Sequence, residues 1–292
     1  MSLEPGKTRI GFIGLGIMGS SMARHVRSAG FELGVFARRP EAAQPLLQLG
    51  ARAFESPRAL AAASDVVVTI VGFPSDVESL YLGDGGLIEA ARPGSYLVDM
   101  TTSSPSLARR IASTARSRGV FALDAPVTGG DAGAREARLS IMVGGETAAF
   151  EALRPLLRVL GTTLVRQGEA GAGQHAKLAN QIAVACTMLG VSEALGYAKR
   201  AGLEPESVLK SISQGAAKSF ALEHLAPKML AGDFAPGFFV KHLVKDLGLA
   251  LAEANDLGFD APGLRLVLER YRTLMDLGYS EAGTQVLFQL YR

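Results

Sequence analysis

The 292-residue sequence has no tryptophan, one cysteine and four histidines. A lone Cys186 excludes an intramolecular disulfide and fits a reducing compartment. Its alanine-rich surroundings make it a buried structural thiol rather than a nucleophile. The histidines (His25, His175, His224, His242) are scattered without ligand spacing, so no metal site is indicated. Excess charge is also missing. Thirty basic residues against 28 acidic ones leave +2, and the basic residues are scattered, which argues against a nucleic-acid surface. No apolar run reads as membrane-spanning, and the opening Met1-Ser-Leu-Glu-Pro-Gly6 lacks the basic start and apolar core of a secretory signal. Internal repeats and low-complexity tracts are absent too. A cytoplasmic protein without membrane or nucleic-acid partners is therefore expected. What remains is 48% hydrophobic and 20% charged, ordinary for a globular chain and long enough for two domains.

The first half alternates buried strands with helical segments, which implies a parallel sheet with helices on both faces. Thr8–Gly14 reads as a strand that runs into Gly14-Leu15-Gly16-Ile17-Met18-Gly19 and then a helix ending at Gly30. Glycines at these spacings between strand and helix form a dinucleotide fingerprint. Gly14 permits a tight turn, Gly16 lets backbone approach a pyrophosphate, and Gly19 allows close helix–strand packing. The helix N-terminus supplies free N–H groups for the phosphates. About 20 residues further on, where an acid would bind a ribose 2′-hydroxyl, the chain has Ala37-Arg38-Arg39-Pro40. Two guanidiniums can grip a 2′-phosphate, so NADP(H) is favoured and NAD(H) is possible; the bland alternative is a surface turn. Further strands at Asp65–Val71, Ser95–Met100, Phe121–Val127, Leu139–Val143 and Thr163–Val165 complete the set. Gly72-Phe73-Pro74, Thr101–Ser104 and Val127–Gly130 fall at strand ends, where ligands bind in such sheets, and should converge on one crevice.

After Leu164 strands vanish. From Gln174 to Ala201 there is no proline and only Gly190 and Gly196, and the residues are apolar nearly all round. This predicts a long buried helix, roughly 40 Å, opening an all-α domain. The predicted organisation is a Rossmann doubly wound parallel sheet at 1–168 and an all-α substrate and oligomerisation domain at 169–292. Lys177, Asn180 and Gln181 share one helical face and need polar partners if buried; the alternative is a lysine snorkelling to solvent. Further helices are predicted at 204–212, 221–230, 241–257 and 263–277, with Gly215–Ser219 as a loop candidate near the same crevice. The apolar helix also predicts a homodimer or homotetramer.

Five motifs in order make the chain resemble the β-hydroxyacid dehydrogenase family: Phe12–Gly19, Asp99-Met-Thr-Thr-Ser-Ser-Pro105, Asp124-Ala-Pro-Val-Thr-Gly-Gly130, Gly171-Ala-Gly173 with Lys177, Asn180 and Gln181, and Lys245-Asp246. The family includes 3-hydroxyisobutyrate dehydrogenase and the tartronate, glyoxylate and succinic semialdehyde reductases, and the resemblance runs from about Ile10 to Tyr291. It implies that Lys177 is the catalytic acid/base and that Asn180 orients the substrate. Thr128, Gly129 and Gly130 would hold the substrate carboxylate, and Phe238 and Asp246 would line the pocket. Phe73, Pro74, Thr102 and Lys245 would join Gly14, Leu15, Gly16, Ile17, Met18, Gly19, Arg38 and Arg39 in contacting the cofactor. Packing beside Phe239 is the alternative for Phe238. Two departures stand out. Thr128 replaces the family's usual serine, and Arg138 follows Ala137 where small residues are common; Arg138 either recruits a second acidic group or faces solvent.

The function implied is hydride transfer between a nicotinamide and a small semialdehyde acid or 3-hydroxy acid. An ammonium such as Lys177 both stabilises the forming alkoxide and protonates it. The alternatives are an imine reductase-like enzyme, an NAD-dependent 3-hydroxyisobutyrate dehydrogenase, and a non-catalytic nucleotide-binding scaffold.

Overall fold

The computed structural model describes residues 3–292; Met1 and Ser2, part of the opening stretch read above for a secretory signal, lie outside them. The chain parts into two compact units, one ending at Lys177 and one spanning Leu178–Arg292.

Among the described residues the first unit carries nine strands: β1 (Arg9–Ile13), β2 (Glu32–Phe36), β3 (Arg52–Ala53), β4 (Val66–Thr69), β5 (Tyr96–Asp99), β6 (Phe121–Asp124), β7 (Val127–Thr128), β8 (Leu139–Gly144) and β9 (Gly161–Gly168). The sheet order is β3-β2-β1-β4-β5-β6-β8-β7, with β9 on β8. The helices between them are α1 (Ile17–Ser28), α2 (Gln44–Leu47), α3 (Pro57–Ala63), α4 (Pro74–Leu82), α5 (Leu87–Ala90), α6 (Pro105–Ser117), α7 (Gly130–Arg135) and α8 (Thr147–Leu160). Side chains alternate across each strand, which gives the sheet two cores. Ile10, Phe12, Val66, Val68 and Val98 pack with Met22, Val26, Leu153 and Leu157 of α1 and α8. Val67 and Leu97 pack with Leu60, Val77, Leu107 and Ile111 of α3, α4 and α6. Strands covered on both faces read as unbroken apolar runs such as Val66-Val-Val68.

From β1 to β6 every pairing is parallel, but β8 is antiparallel to both β6 and β7. This departs from the uniform alternation expected over Leu139–Val143. The six residues of α7 advance the chain by only about 9 Å, too little to carry it back along the sheet for another parallel strand. Gly161–Gly168 then pairs parallel to β8, a longer strand than Thr163–Val165.

At the amino end of β4, an interior strand, Asp65 holds two arginines. Oδ2 accepts from the Arg9 amide at 2.9 Å and from Arg9 Nε at 3.1 Å, and Oδ1 lies 2.8 Å from one guanidinium and 2.5 Å from that of Arg92. Burial pushes the Asp65 carboxyl up, but the bonds from Arg9 and Arg92 outweigh it and hold the carboxyl below its ordinary value. Both guanidiniums are nearly half exposed, so screening discounts the pair, and Asp65→Asn is expected to cost about 1–2 kcal/mol at neutral pH. A group with a lowered folded pKa contributes stability above its unfolded value of about 3.9 and loses it as pH falls through the folded one. Thermal unfolding of the wild type and variant should therefore converge on acidification below pH 4.

The bridge to the second unit is α9 (Ala172–Arg200), continuous over 29 residues. By length and hydropathy alone it could cross a membrane, contrary to the expectation that no stretch would. Its Ala185, Met188, Leu189, Val191 and Leu195 belong to the core of the second unit, as expected of a core helix. It is not covered all round: Ala179, Ala183, Val184, Gly190 and Tyr197 are exposed. The division between units falls within this helix, nine residues after the boundary read at 168/169. Gly171–Gln174 are bonded to the end of β6, so the first turns of α9 go with the sheet.

The second unit continues with α10 (Pro205–Ile212), α11 (Ala226–Ala231), α12 (Val240–Asp256) and α13 (Pro262–Asp276). The helix expected over 221–230 is broken: Ala221–Leu225 forms a wider π turn before α11. Pro227 lacks an N–H and crowds the carbonyl four residues earlier, which a wider turn relieves. Residues 215–219, predicted as a loop, lie outside the helices, and 215–218 are exposed.

Candidate active site

Each glycine of the first turn has a distinct steric reason. Gly14 has φ 97°, and a Cβ there would collide with the Ile70 carbonyl; one at Gly19 would collide with that of Gly14. At Gly16 a Cβ would meet nothing within 4 Å. The space beside that backbone is open. Helix α1 begins there with no side-chain cap and no acidic residue in its first turn, so its positive end is bare toward that space. A dinucleotide pyrophosphate fits this arrangement. Leu15 and Met18 are half-buried and Ile17 is half-exposed.

Arg38 and Arg39 follow β2 and are exposed. Arg38 lies 3.6 Å from Asp76 of α4. The other Asp76 oxygen accepts from the Phe73 amide at 3.1 Å, so one carboxylate both shapes the Phe73-Pro74 turn and faces the arginine.

A buried polar chain runs beneath the next turn. The Thr69 hydroxyl donates to Asp99 Oδ1 at 3.1 Å, so the Tyr81 hydroxyl at 2.9 Å must donate to Thr69. Asp99 Oδ1 also accepts from the Thr101 amide at 3.0 Å, and Thr101 Oγ1 accepts from the Val71 amide at 3.0 Å. Burial pushes the Asp99 carboxyl up to about 6, against the Thr101 and Thr69 bonds. Thr102 is half-buried on this turn, and the buried Ser103 hydroxyl has no hydrogen-bond partner among the described residues. The turn thus keeps one unmet polar group at the carboxyl end of β5.

Asp124 ends β6 and organises the start of α9. Its Oδ1 accepts from the Gly171 amide and its Oδ2 from the Gln174 amide, both at 2.8 Å. A Cβ at Gly173 would lie 2.5 Å from the Met142 carbonyl oxygen and 2.7 Å from that of Asp124. Gly171, at φ 91°, takes a conformation that favours glycine. These contacts explain the Gly-x-Gly that precedes the lysine. Gln174 is fully buried; its Oε1 accepts from the Ser103 amide and its Nε2 donates to the Thr101 carbonyl, both at 2.8 Å. Lys177 follows one turn later and is 7% exposed, which excludes a snorkelling side chain.

Beyond β6, Thr128 is half-buried in β7, and Gly129 and Gly130 have φ 127° and 64°. Only glycine takes the first of these without strain, so the turn presents bare backbone at the start of α7. Arg138 is exposed and pairs with Glu136.

In the second unit, the Asn180 amide donates to Gln181 Oε1 at 2.8 Å, and Gln181 Nε2 donates to Asp246 Oδ2 at 2.6 Å. Lys245 Nζ lies 2.8 Å from the other Asp246 oxygen. Asp246 is 1% exposed, and Gln181, which faces it, belongs with this group. Phe238 packs against the helical core, its ring 6.4 Å from that of His242.

The first unit therefore brings Gly14–Gly19, Arg38, Phe73-Pro74, Thr102, Thr128–Gly130 and Lys177 to or beyond the carboxyl ends of its strands. The second gathers Asn180, Gln181, Lys245 and Asp246. Asp99, Asp124 and Gln174 were visible only as letters within motifs. Among the described residues no three or more His, Cys, Asp or Glu side chains form a metal-binding group.

Residues 9–168 match the NAD binding domain of 6-phosphogluconate dehydrogenase, and residues 171–291 match the NAD-binding domain of NADP-dependent 3-hydroxyisobutyrate dehydrogenase. The chain is 52% identical to the uncharacterized oxidoreductase YkwC of Bacillus subtilis, over 98% of this chain and 99% of that one. It is 40% identical to 2-hydroxy-3-oxopropionate reductase of Escherichia coli, over 96% of each. Among solved structures it is similar to Mycobacterium tuberculosis 3-hydroxyisobutyrate dehydrogenase with L-serine, at TM-score 0.89 and 31% identity, covering 98% of this chain and 99% of that one.

Proposed function

The chain belongs to the β-hydroxyacid dehydrogenase family of NAD(P)-dependent oxidoreductases, and from that premise we propose an NADP(H)-preferring enzyme that interconverts a small semialdehyde acid and its hydroxy acid, with Lys177 as general acid/base. The observation that carries this reading is the buried Lys177 one helical turn after Gln174, whose side chain is bonded to both sides of Thr102. When bound, the reduced nicotinamide supplies a hydride to the carbonyl carbon. Lys177 Nζ donates the proton to the carbonyl oxygen, and takes it back from the hydroxyl in the oxidative direction. The Thr128 hydroxyl and the backbone of Gly129 and Gly130 hold the carboxylate, and Asn180 orients the reacting group. Phe238 and Asp246 are further substrate contacts in this reading, and Lys245 is a cofactor contact. The apolar residues left exposed on α9 support self-association.

The substrate test is a panel of 2-hydroxy-3-oxopropionate, glyoxylate, succinic semialdehyde, 3-hydroxyisobutyrate and L-serine, assayed with both cofactors. Turnover of none of these would remove the substrate class. With no tryptophan in the chain, reduced-cofactor fluorescence can be followed against little protein emission.

Arg38 and Arg39 underlie the cofactor preference. Asp76 faces Arg38 and would repel a 2′-phosphate that engages it. Two unit charges about 6 Å apart at the surface interact by about 1–3 kcal/mol. Asp76→Asn keeps an acceptor for the Phe73 amide and removes the charge. It is expected to tighten NADPH binding about 5-fold and leave NADH unchanged, as measured by fluorescence titration at low salt. Arg38→Ala should weaken NADPH alone. Tighter wild-type binding of NADH than of NADPH would remove the preference.

A further inference from the structure

We propose that Gln174 is a positioning residue for the reaction: its side-chain amide pins the Thr101–Ser103 turn to the first turn of α9 and thereby fixes Lys177 relative to the cofactor side of the sheet. The proposal rests on Lys177 acting as the acid.

Gln174 is 0% exposed, and both ends of its amide are used, each at 2.8 Å, on the two backbone groups flanking Thr102. The orientation is determined. Oε1 faces an N–H and Nε2 faces a carbonyl; the flipped amide would oppose donor to donor and acceptor to acceptor. The turn is gripped from its other side as well, by Asp99 on the Thr101 amide and by Thr101 Oγ1 on the Val71 amide. The backbone of Gln174 is bonded in turn to Asp124. One residue thus joins the ends of β5 and β6 to a helix. Lys177 stands three positions along that helix on the same face, with Cβ atoms about 5–6 Å apart. A misplacement of about 1 Å between reacting groups costs about 10²-fold in rate. A buried amide bonded to the turn that bears Thr102 is placed to prevent it.

The experiment uses the full-length protein and compares Gln174→Met, Gln174→Glu and Lys177→Ala. Gln174→Met fills the same space without either bond and is expected to lower kcat about 10²-fold, with a smaller loss of cofactor affinity in fluorescence titration. In Gln174→Glu the carboxylate accepts from Ser103 but repels the Thr101 carbonyl; once protonated, its O–H donates to that carbonyl and restores both bonds. The ratio of its kcat to that of the wild type should therefore rise as pH falls, a recovery that mere packing would not produce. Should Lys177→Ala retain turnover, the acid/base reading fails and takes the proposal with it. Should Lys177→Ala be inactive while both Gln174 variants keep wild-type kcat, pH profile and cofactor affinity, the proposal alone is overturned. Hydrogen exchange in the unaltered protein tests it without a variant: the Ser103 amide should be strongly protected, and rapid exchange there overturns the tether.

Discussion

Lys177→Ala is expected to lower kcat by about 10³–10⁴-fold while leaving the affinity for reduced cofactor unchanged. Carbonyl reduction places negative charge on oxygen as the hydride arrives, and a buried ammonium both offsets that charge and delivers the proton. Water entering the truncated site can supply a proton but not a fixed positive charge. The pyrophosphate cradle at Gly14–Gly19 belongs to a different strand end, so cofactor binding should survive. Lys177→Arg separates the two roles: guanidinium keeps the charge but does not give up its proton near neutral pH, so it should recover little of the rate. Turnover by Lys177→Ala within tenfold of wild type would reassign the proton donor.

Part of this was legible in the residues themselves and part was not. The cradle was legible because its function is local: Gly14, Gly16 and Gly19 answer to steric demands within one strand–turn–helix. The parallel strands β1, β4, β5 and β6 were legible as apolar runs, whereas β3, the exposed pair Arg52–Ala53, was not. The reversal at β8 was not, since apolar periodicity carries no direction and the deciding fact is the shortness of α7. Lys177 drew notice as a lysine in an apolar helix. Gln174, on the same helix, did not, because its partners Thr101 and Ser103 lie 73 and 71 residues away. Asp124 is similar: its worth comes from amides about 50 residues downstream. Motifs mark such positions, but only the fold shows what each one grips.

Asp124→Ala is expected to be the most destabilising single change considered. It leaves the Gly171 and Gln174 amides buried without their acceptor, at about 1–3 kcal/mol each, and opens a small void where Gly144 now packs on the carboxylate. A loss of about 3–5 kcal/mol is a large share of the 5–15 kcal/mol of a typical domain. Asp124→Asn should lose less, since its amide keeps one acceptor and turns an NH₂ toward the other donor. The pH dependence supplies an independent check. Burial pushes the Asp124 carboxyl above its ordinary value despite the amides of Gly171 and Gln174. A raised folded pKa means that this group's contribution is full below the unfolded value of about 3.9 and declines as pH rises through the folded one. The gap in thermal stability between wild type and Asp124→Ala should therefore widen on acidification from neutral pH toward 4, opposite in sign to the convergence expected for Asp65→Asn. Because both variants are read in the same protein by the same melts, a common drift with pH cancels, and parallel behaviour of the two would refute the assignment of one carboxylate as paired and the other as desolvated.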